Sequence, residues 1–215
     1  MTSQQFVENF YLERRSLLDL YLDQTTTSDV SMLIADLQLD QENLAKLRQV
    51  LNGVLRDAFY GVLLGLDGEV QIGERQENYK IEDENGNKLS GEIESFAWEY
   101  FHNYKFEREN SKSDFIATLT YRTTEQGGRK TPAKTGYRPQ TKFDFDEMQT
   151  SGQQLFIDCQ YVYPGGKVDA EIKIVSADYF AGRLTEGMEF EFREGSTIMG
   201  RGKIKHVLNE LLRKK

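Results

Sequence analysis

The sequence predicts an α+β fold in two domains: a mainly helical N-terminal module with a small β-hairpin, then an all-β module of about six short antiparallel strands. Three observations predict it. Apolar residues recur every three or four positions up to about residue 105, and every second position from Asp114 onward. Charge divides at the same place. Residues 111–215 carry 17 Lys+Arg against 14 Asp+Glu, a balance of +3, whereas residues 1–110 carry 10 against 21, a balance of -11, within a chain total of -8. Between the two lies ERENSKS, a polar run at Glu107 to Ser113. The expected boundaries are therefore an acidic helical module at 1–106, a linker at 107–113 and a β module at 114–215.

In the first module, Phe6, Phe10, Leu17 and Tyr21 fall near helical spacing. Asp40 then precedes Leu44, Leu47, Leu51, Val54, Leu55, Ala58 and Val62 as an N-cap before an amphipathic helix. Gly65 and Asp67-Gly68 are its expected stop. Tyr79 to Leu89 alternates around Asn85-Gly86, a hairpin turn signal. Ile93, Phe96, Ala97, Tyr100 and Tyr104 line one side of a further helix, bordered by Trp98 and Phe101, and this aromatic stripe is expected in a core.

In the second module, Phe115, Ala117, Leu119 and Tyr121 share a strand face, as do Leu155, Ile157, Cys159 and Tyr161, and Val168, Ala170, Ile172 and Ile174. Met188, Phe190 and Phe192 alternate with Glu189, Glu191 and Arg193. Gly136 to Asp144 and Thr197 to Leu208 complete the set. Pro164-Gly165-Gly166, Glu186-Gly187 and Glu194-Gly195 are turns. Short strands at this spacing with no intervening helix make a closed barrel or a sandwich.

Several functions are excluded as expectations. No apolar run reaches about 18 residues, so no membrane span or membrane partner is expected. The start MTSQQFVENF lacks a secretory pattern, and the single Cys159 has no disulfide partner, so a cytoplasmic location is expected. Cys159, on an apolar strand face, is expected to be a buried, inert thiol. There is no G-x-x-x-x-G-K-[ST] and no Asn-Lys-x-Asp, hence no expected GTP binding. His102 and His206 stand in different modules, and no His/Cys/carboxylate cluster has ligand spacing, so no metal, cofactor or enzymatic activity is expected.

What remains is the stretch EQGGRKTPAKTGYRPQ. Between Arg122 and Lys142 the cations are Arg122, Arg129, Lys130, Lys134, Arg138 and Lys142, against one acid, Glu125. Gly127-Gly128, Pro132, Gly136 and Pro139 make it a long shaped loop. In an acidic chain, so local a concentration is a candidate binding surface. Lys203, Lys205, Arg213, Lys214 and Lys215 read as a solvated basic tail, or as an extension of that surface.

EQGGRKTPAKTGYRPQTKF, YPGGKVDAEIKI and GMEFEFREGSTIMGRGKIKHVL together resemble, in order, segments of the C-terminal (third) β-barrel domain of bacterial elongation factor Tu, over about residues 114–209. The resemblance implies a six-stranded antiparallel β-barrel. In that family this domain contacts the tRNA T-stem backbone, the GTPase domain and the exchange factor. The RNA-facing Arg of GGR-x-TP corresponds to Arg129, the next position, usually His, is Lys130, and the Gln closing GYRPQ is Gln140. Asp144, Asp146 and Glu147 follow and would repel phosphate, which favours a protein partner over tRNA. The expected function is thus non-catalytic binding of a macromolecule through Arg129, Lys130, Arg138 and Gln140, with Arg122 and Lys134 beside them. The expected partner is a translation factor or a regulator such as a toxin; RNA binding by the same loop, and a decoy that mimics elongation factor Tu, are the alternatives.

Overall fold

The computed structural model describes every residue except Gln24 and Thr26. The chain is α+β and divides into two compact units, Met1–Glu109 and Asn110–Lys215.

The first unit is built on three helices that pack on one another: α1 (Ser3–Leu22), α3 (Gln41–Leu66) and α4 (Ile93–Phe101). A short helix α2 (Asp29–Asp36), capped by Ser28, lies between the first two in sequence. Thr2 and Gln5 form a capping box on α1, and Asp40 caps α3 through the Asn43 amide as expected. The helix α4 has no cap of its own. The Asp67 carboxylate, at the end of α3, instead accepts from the Gly91 and Glu94 amides and satisfies that terminus from elsewhere in the chain.

The core of this unit is Val7, Tyr11, Leu63, Ile93, Ala97, Tyr100 and Phe101. Two expected faces are thereby rotated. In α1 the buried positions include Val7, Tyr11 and Leu18, with Phe6 and Phe10 packed at the rim. In α3 the buried positions are Leu63 and Gly65, whereas Val54, Ala58 and Val62 face solvent. The reason is that the packed core reaches only the C-terminal part of α3, whereas its first half meets α1 through polar pairs, Arg14–Asn52 and Arg48–Asp19, so most of its long apolar stripe is half-buried at best. The hairpin signal corresponds to a minimal turn, with one bridge between Glu82 and Lys88 around Gly86 at φ 79°. The helix α5 (Lys105–Asn110) takes in the first part of the segment read as a linker. Buried Glu107 fastens it to α1, accepting from the Tyr11 hydroxyl at 2.8 Å and Arg15 at 3.1 Å.

The second unit contains a closed six-stranded antiparallel barrel. Its strands are β1 (Phe115–Tyr121), β3 (Gln140–Phe143), β4 (Gln149–Phe156), β6 (Lys167–Ile174), β7 (Glu189–Glu194) and β8 (Thr197–Val207), in the order β1-β6-β4-β3-β7-β8. A separate two-residue pair joins β2 (Ala133–Lys134) to β5 (Tyr161–Val162). Inward-facing Phe115, Ala117, Leu119, Val168, Ala170, Ile172, Phe190 and Phe192 fill the interior, as the period-two pattern requires. Opposite Phe190 and Phe192 stand Gly202 and Gly200, where an added Cβ would meet a ring carbon at 2.2 Å. Glycine is therefore what lets the two phenyl rings lie across β8.

The strand β4 corrects one expectation. It starts at Gln149, earlier than the apolar run suggested, and buries Thr150, Gly152, Gln154 and Phe156 while Leu155 faces out. Buried Gln154 is tolerated because the Tyr121 hydroxyl bonds its side-chain oxygen. Ile157 and Cys159 lie beyond the strand, so Cys159 is a half-buried loop thiol resting on the core, not a fully buried strand residue. The end of the barrel where β1 begins and β6 ends is closed by Asp114, which is fully buried. Its carboxylate accepts from the Ile174 amide at 2.8 Å, the Asn209 side-chain amide at 2.8 Å and Lys173 at 3.0 Å.

Candidate functional site

The loop between β1 and β3 is pinned along its whole length. Its first turn, Thr123 to Gly128, closes through Gly127 N–H to Thr124 and Gly128 N–H to Thr123. Gly128 lies against the Arg122 carbonyl, where a Cβ would come within 2.3 Å, and Gly127 has φ 80°, so both glycines are required by the backbone path. Further on, β2 pairs with β5, the Thr135 amide donates to the Gln160 carbonyl, and Gly136 and Gln154 are linked through a Tyr137–Gln154 bridge. Pro139 is buried and delivers the chain into β3.

Arg129 is a brace within this loop. Its guanidinium lies over the Tyr137 ring, 4.7 Å from the centroid, forms an ion pair with Glu194, and donates through Nε to the Thr131 carbonyl at 3.3 Å. Tyr137 closes the triangle by donating its hydroxyl to Glu194 at 2.7 Å. Burial, and then the hydrogen bond to Glu194, push the Tyr137 phenol above the ordinary tyrosine range, so it is a donor throughout neutral pH. Glu194 sits at the β7–β8 hairpin end with Gly195 at φ 59°.

The other residues expected at the site are distributed as follows. Arg138 donates to the Gln153 side chain at 2.9 Å, and Gln140 is exposed on β3 opposite Ser151 and Arg193. Lys134 lies 5.9 Å from the Tyr161 ring centroid, and Lys130 is exposed. Lys142 is paired with Glu147 at 3.0 Å. Arg122 is not part of this group: it lines a hollow on the outer face of β1 and β8. Arg129 and Lys142 are thus paired with carboxylates of the barrel unit, whereas Lys130, Lys134 and Arg138 remain exposed.

Two apolar residues absent from the expected site adjoin it. Leu155 is 37% exposed and Tyr161 40% exposed, on strands that the Thr135–Gly136 backbone joins. The inverted phase of β4 is what brings Leu155 to the surface, and only the buried Gln154 could have signalled it. Lys203 and Lys205, expected in a basic tail, belong instead to the outward face of β8. Arg213 turns back and donates to the Val207 carbonyl at 2.6 Å.

Among the described residues no three His, Cys, Asp or Glu side chains are placed to hold a metal ion, and no helix is long and apolar enough to cross a membrane. No protein-family model matches the chain.

Proposed function

We propose that the barrel unit is a non-catalytic docking module whose partner is a protein. Its contact surface comprises the loop from Gly127 to Gln140 together with exposed Leu155 and Tyr161. The observation that carries this reading is the combination of a pre-formed loop with two exposed apolar side chains beside it. Protein interfaces take most of their energy from a few anchored aromatic and aliphatic side chains within a polar rim. Leu155 and Tyr161 supply the anchors, and Lys130, Lys134, Arg138 and Gln140 the rim. A loop already held by Arg129, Tyr137 and Glu194 loses little entropy on binding. The pairing of Arg129 with Glu194 and of Lys142 with Glu147 removes two of the loop's cations from contact with a phosphate backbone.

The resemblance to the third domain of elongation factor Tu directs the search for that partner to the translation machinery and its regulators. The test is titration of the full chain, by calorimetry, against the exchange factor, against the isolated GTPase domain of elongation factor Tu, and against aminoacyl-tRNA. Saturable binding to either protein that drops at least tenfold in the double variant Leu155→Asp/Tyr161→Ala supports the proposal. Binding to tRNA alone, weakened by Lys130→Glu/Lys134→Glu, would replace it with the RNA reading. Binding to none of the three removes the translation assignment.

A further inference from the structure

Cations without a carboxylate partner also gather on a second face of the barrel. Outward side chains of β8 recur every second residue, so Arg201, Lys203 and Lys205 project on one side at intervals of about 7 Å. The register of β1 places Thr120 beside Arg201 and Thr118 beside Lys203, and that of β6 places Lys167 beside Thr120. Lys167, Thr120 and Arg201 therefore form a row across three strands, with the outer two about 10 Å apart. Arg122, leaving β1, completes the rim of a hollow of about 490 Å³.

Five cations line this hollow, against one acid, Glu189. Two further carboxylates lie near and are engaged. Glu191 accepts from Arg193 at 2.5 Å and Arg201 at 3.2 Å, and Asp169 is bonded by the Thr118 hydroxyl. Among the described residues, Arg122, Lys167, Lys203 and Lys205 have no acidic side chain within ion-pair distance. Glu189 and Glu191 stand opposite Lys203 and Arg201 in the β7–β8 ladder and offset part of this charge; the remaining like charges repel one another, and a closed barrel cannot spread them apart.

The geometry points to this hollow as a binding site for the phosphate backbone of a nucleic-acid duplex. A protein partner would need apolar anchors, yet none of the exposed large hydrophobic side chains of the barrel unit lines the hollow. A single strand would need aromatic platforms for its bases, and Tyr121, the one aromatic there, is buried in the barrel. Charge, hydroxyl and amide groups without a stacking surface suit contacts to phosphate and sugar, which position a duplex without reading sequence. The hollow adjoins the start of the loop through Arg122 and Gln126 but includes no residue of the Gly127–Gln140 surface, and it does not depend on the protein-docking reading.

The test uses the full chain and fluorescein-labelled duplexes of about 20 base pairs, one of RNA and one of DNA, in anisotropy titrations between roughly 50 and 200 mM salt. Four unpaired cations predict a slope of log K against log salt of about -3.6. The double variant Lys203→Glu/Lys205→Glu should weaken binding at least tenfold and flatten that slope by about 1.8. The neutral pair Lys203→Gln/Lys205→Gln should flatten it equally, and circular dichroism establishes that both variants keep the fold. Lys130→Glu/Lys134→Glu, on the other surface, should leave duplex binding unchanged. Preference for either duplex identifies the helical form accommodated, and both results support the site. Absence of binding at the lowest salt, full binding by the β8 variants, or equal affinity for a poly-glutamate of matched charge would overturn it.

Discussion

Replacing Asp114 by alanine is the sharpest test of how the barrel is closed. Its carboxylate has no exposed surface and joins the start of β1, the end of β6 and the segment after β8. Alanine leaves three donors without their acceptor. The Ile174 amide is at a buried position and cannot be rehydrated, which costs about 1–3 kcal/mol. The charge-assisted bonds to Lys173 and Asn209 add about 1.5–3 kcal/mol, because Lys173 is half-exposed and recovers water. Together these predict a loss of about 2.5–6 kcal/mol. With an m-value near 2 kcal/mol/M, the urea midpoint followed by circular dichroism falls by about 2 M. Asp114→Asn keeps one acceptor for the Ile174 amide and should lose about half as much, and Lys173→Met, which leaves the buried carboxylate only its two amide donors, should lose about 1–3 kcal/mol. An Asp114→Ala midpoint within about 0.5 M of wild type, at unchanged slope, would refute the reasoning.

Gly202→Val forces a Cβ into the space of the Phe190 ring and should cost about 1–3 kcal/mol, lowering the melting temperature by at least about 4 °C; the loss should shrink in a Phe190→Leu background. Burial pushes the Tyr100 phenol up to about 12, so the folded state holds that proton more tightly than the unfolded chain. Its contribution is complete below about pH 10 and is lost as pH rises towards 12, so urea midpoints read from Trp98 fluorescence should fall across that window in wild type and much less in Tyr100→Phe. Arg129→Lys keeps the charge but cannot stack on Tyr137 while bonding Glu194 and the Thr131 carbonyl together, so hydrogen exchange should quicken at loop amides such as Gly136 and stay unchanged in β1 and β8. Unchanged exchange in the loop would show that Arg129 is not a brace.

The barrel was legible in the sequence wherever apolar residues alternate strictly, as in β1, β6 and β7. It was misread in β4, where the inward face holds Thr150, Gly152 and Gln154 and the outward face holds Leu155. Gln154 is inside because Tyr121, over thirty positions away, offers it a hydrogen bond, and a local pattern does not contain that pairing. The helices were legible in extent but not in facing. Spacing identifies an apolar stripe without revealing how much of it a neighbour covers, so α3 showed a continuous stripe where only its C-terminal end is buried. Glu107 shows why a polar run need not be a linker: a charged residue is buried once Tyr11 and Arg15 satisfy it.

The same limit governs the charge. A count along the chain sees six cations between Arg122 and Lys142 as one basic loop, because sequence proximity is all it measures. Folding sorts them by partner. Arg129 and Lys142 find carboxylates in Glu194 and Glu147, Arg138 finds an amide, and Arg122 turns to the face where the β8 lysines stand. Cations that fall within one row of a β-ladder but are far apart in sequence, such as Lys167 and Arg201, are invisible to any linear window. A closed barrel makes this separation permanent, since no strand can slip or part without breaking hydrogen bonds on both sides. One short unit thus carries a loop braced by Arg129, Tyr137 and Glu194 and, on its strands, a row of cations contributed by β6 and β8.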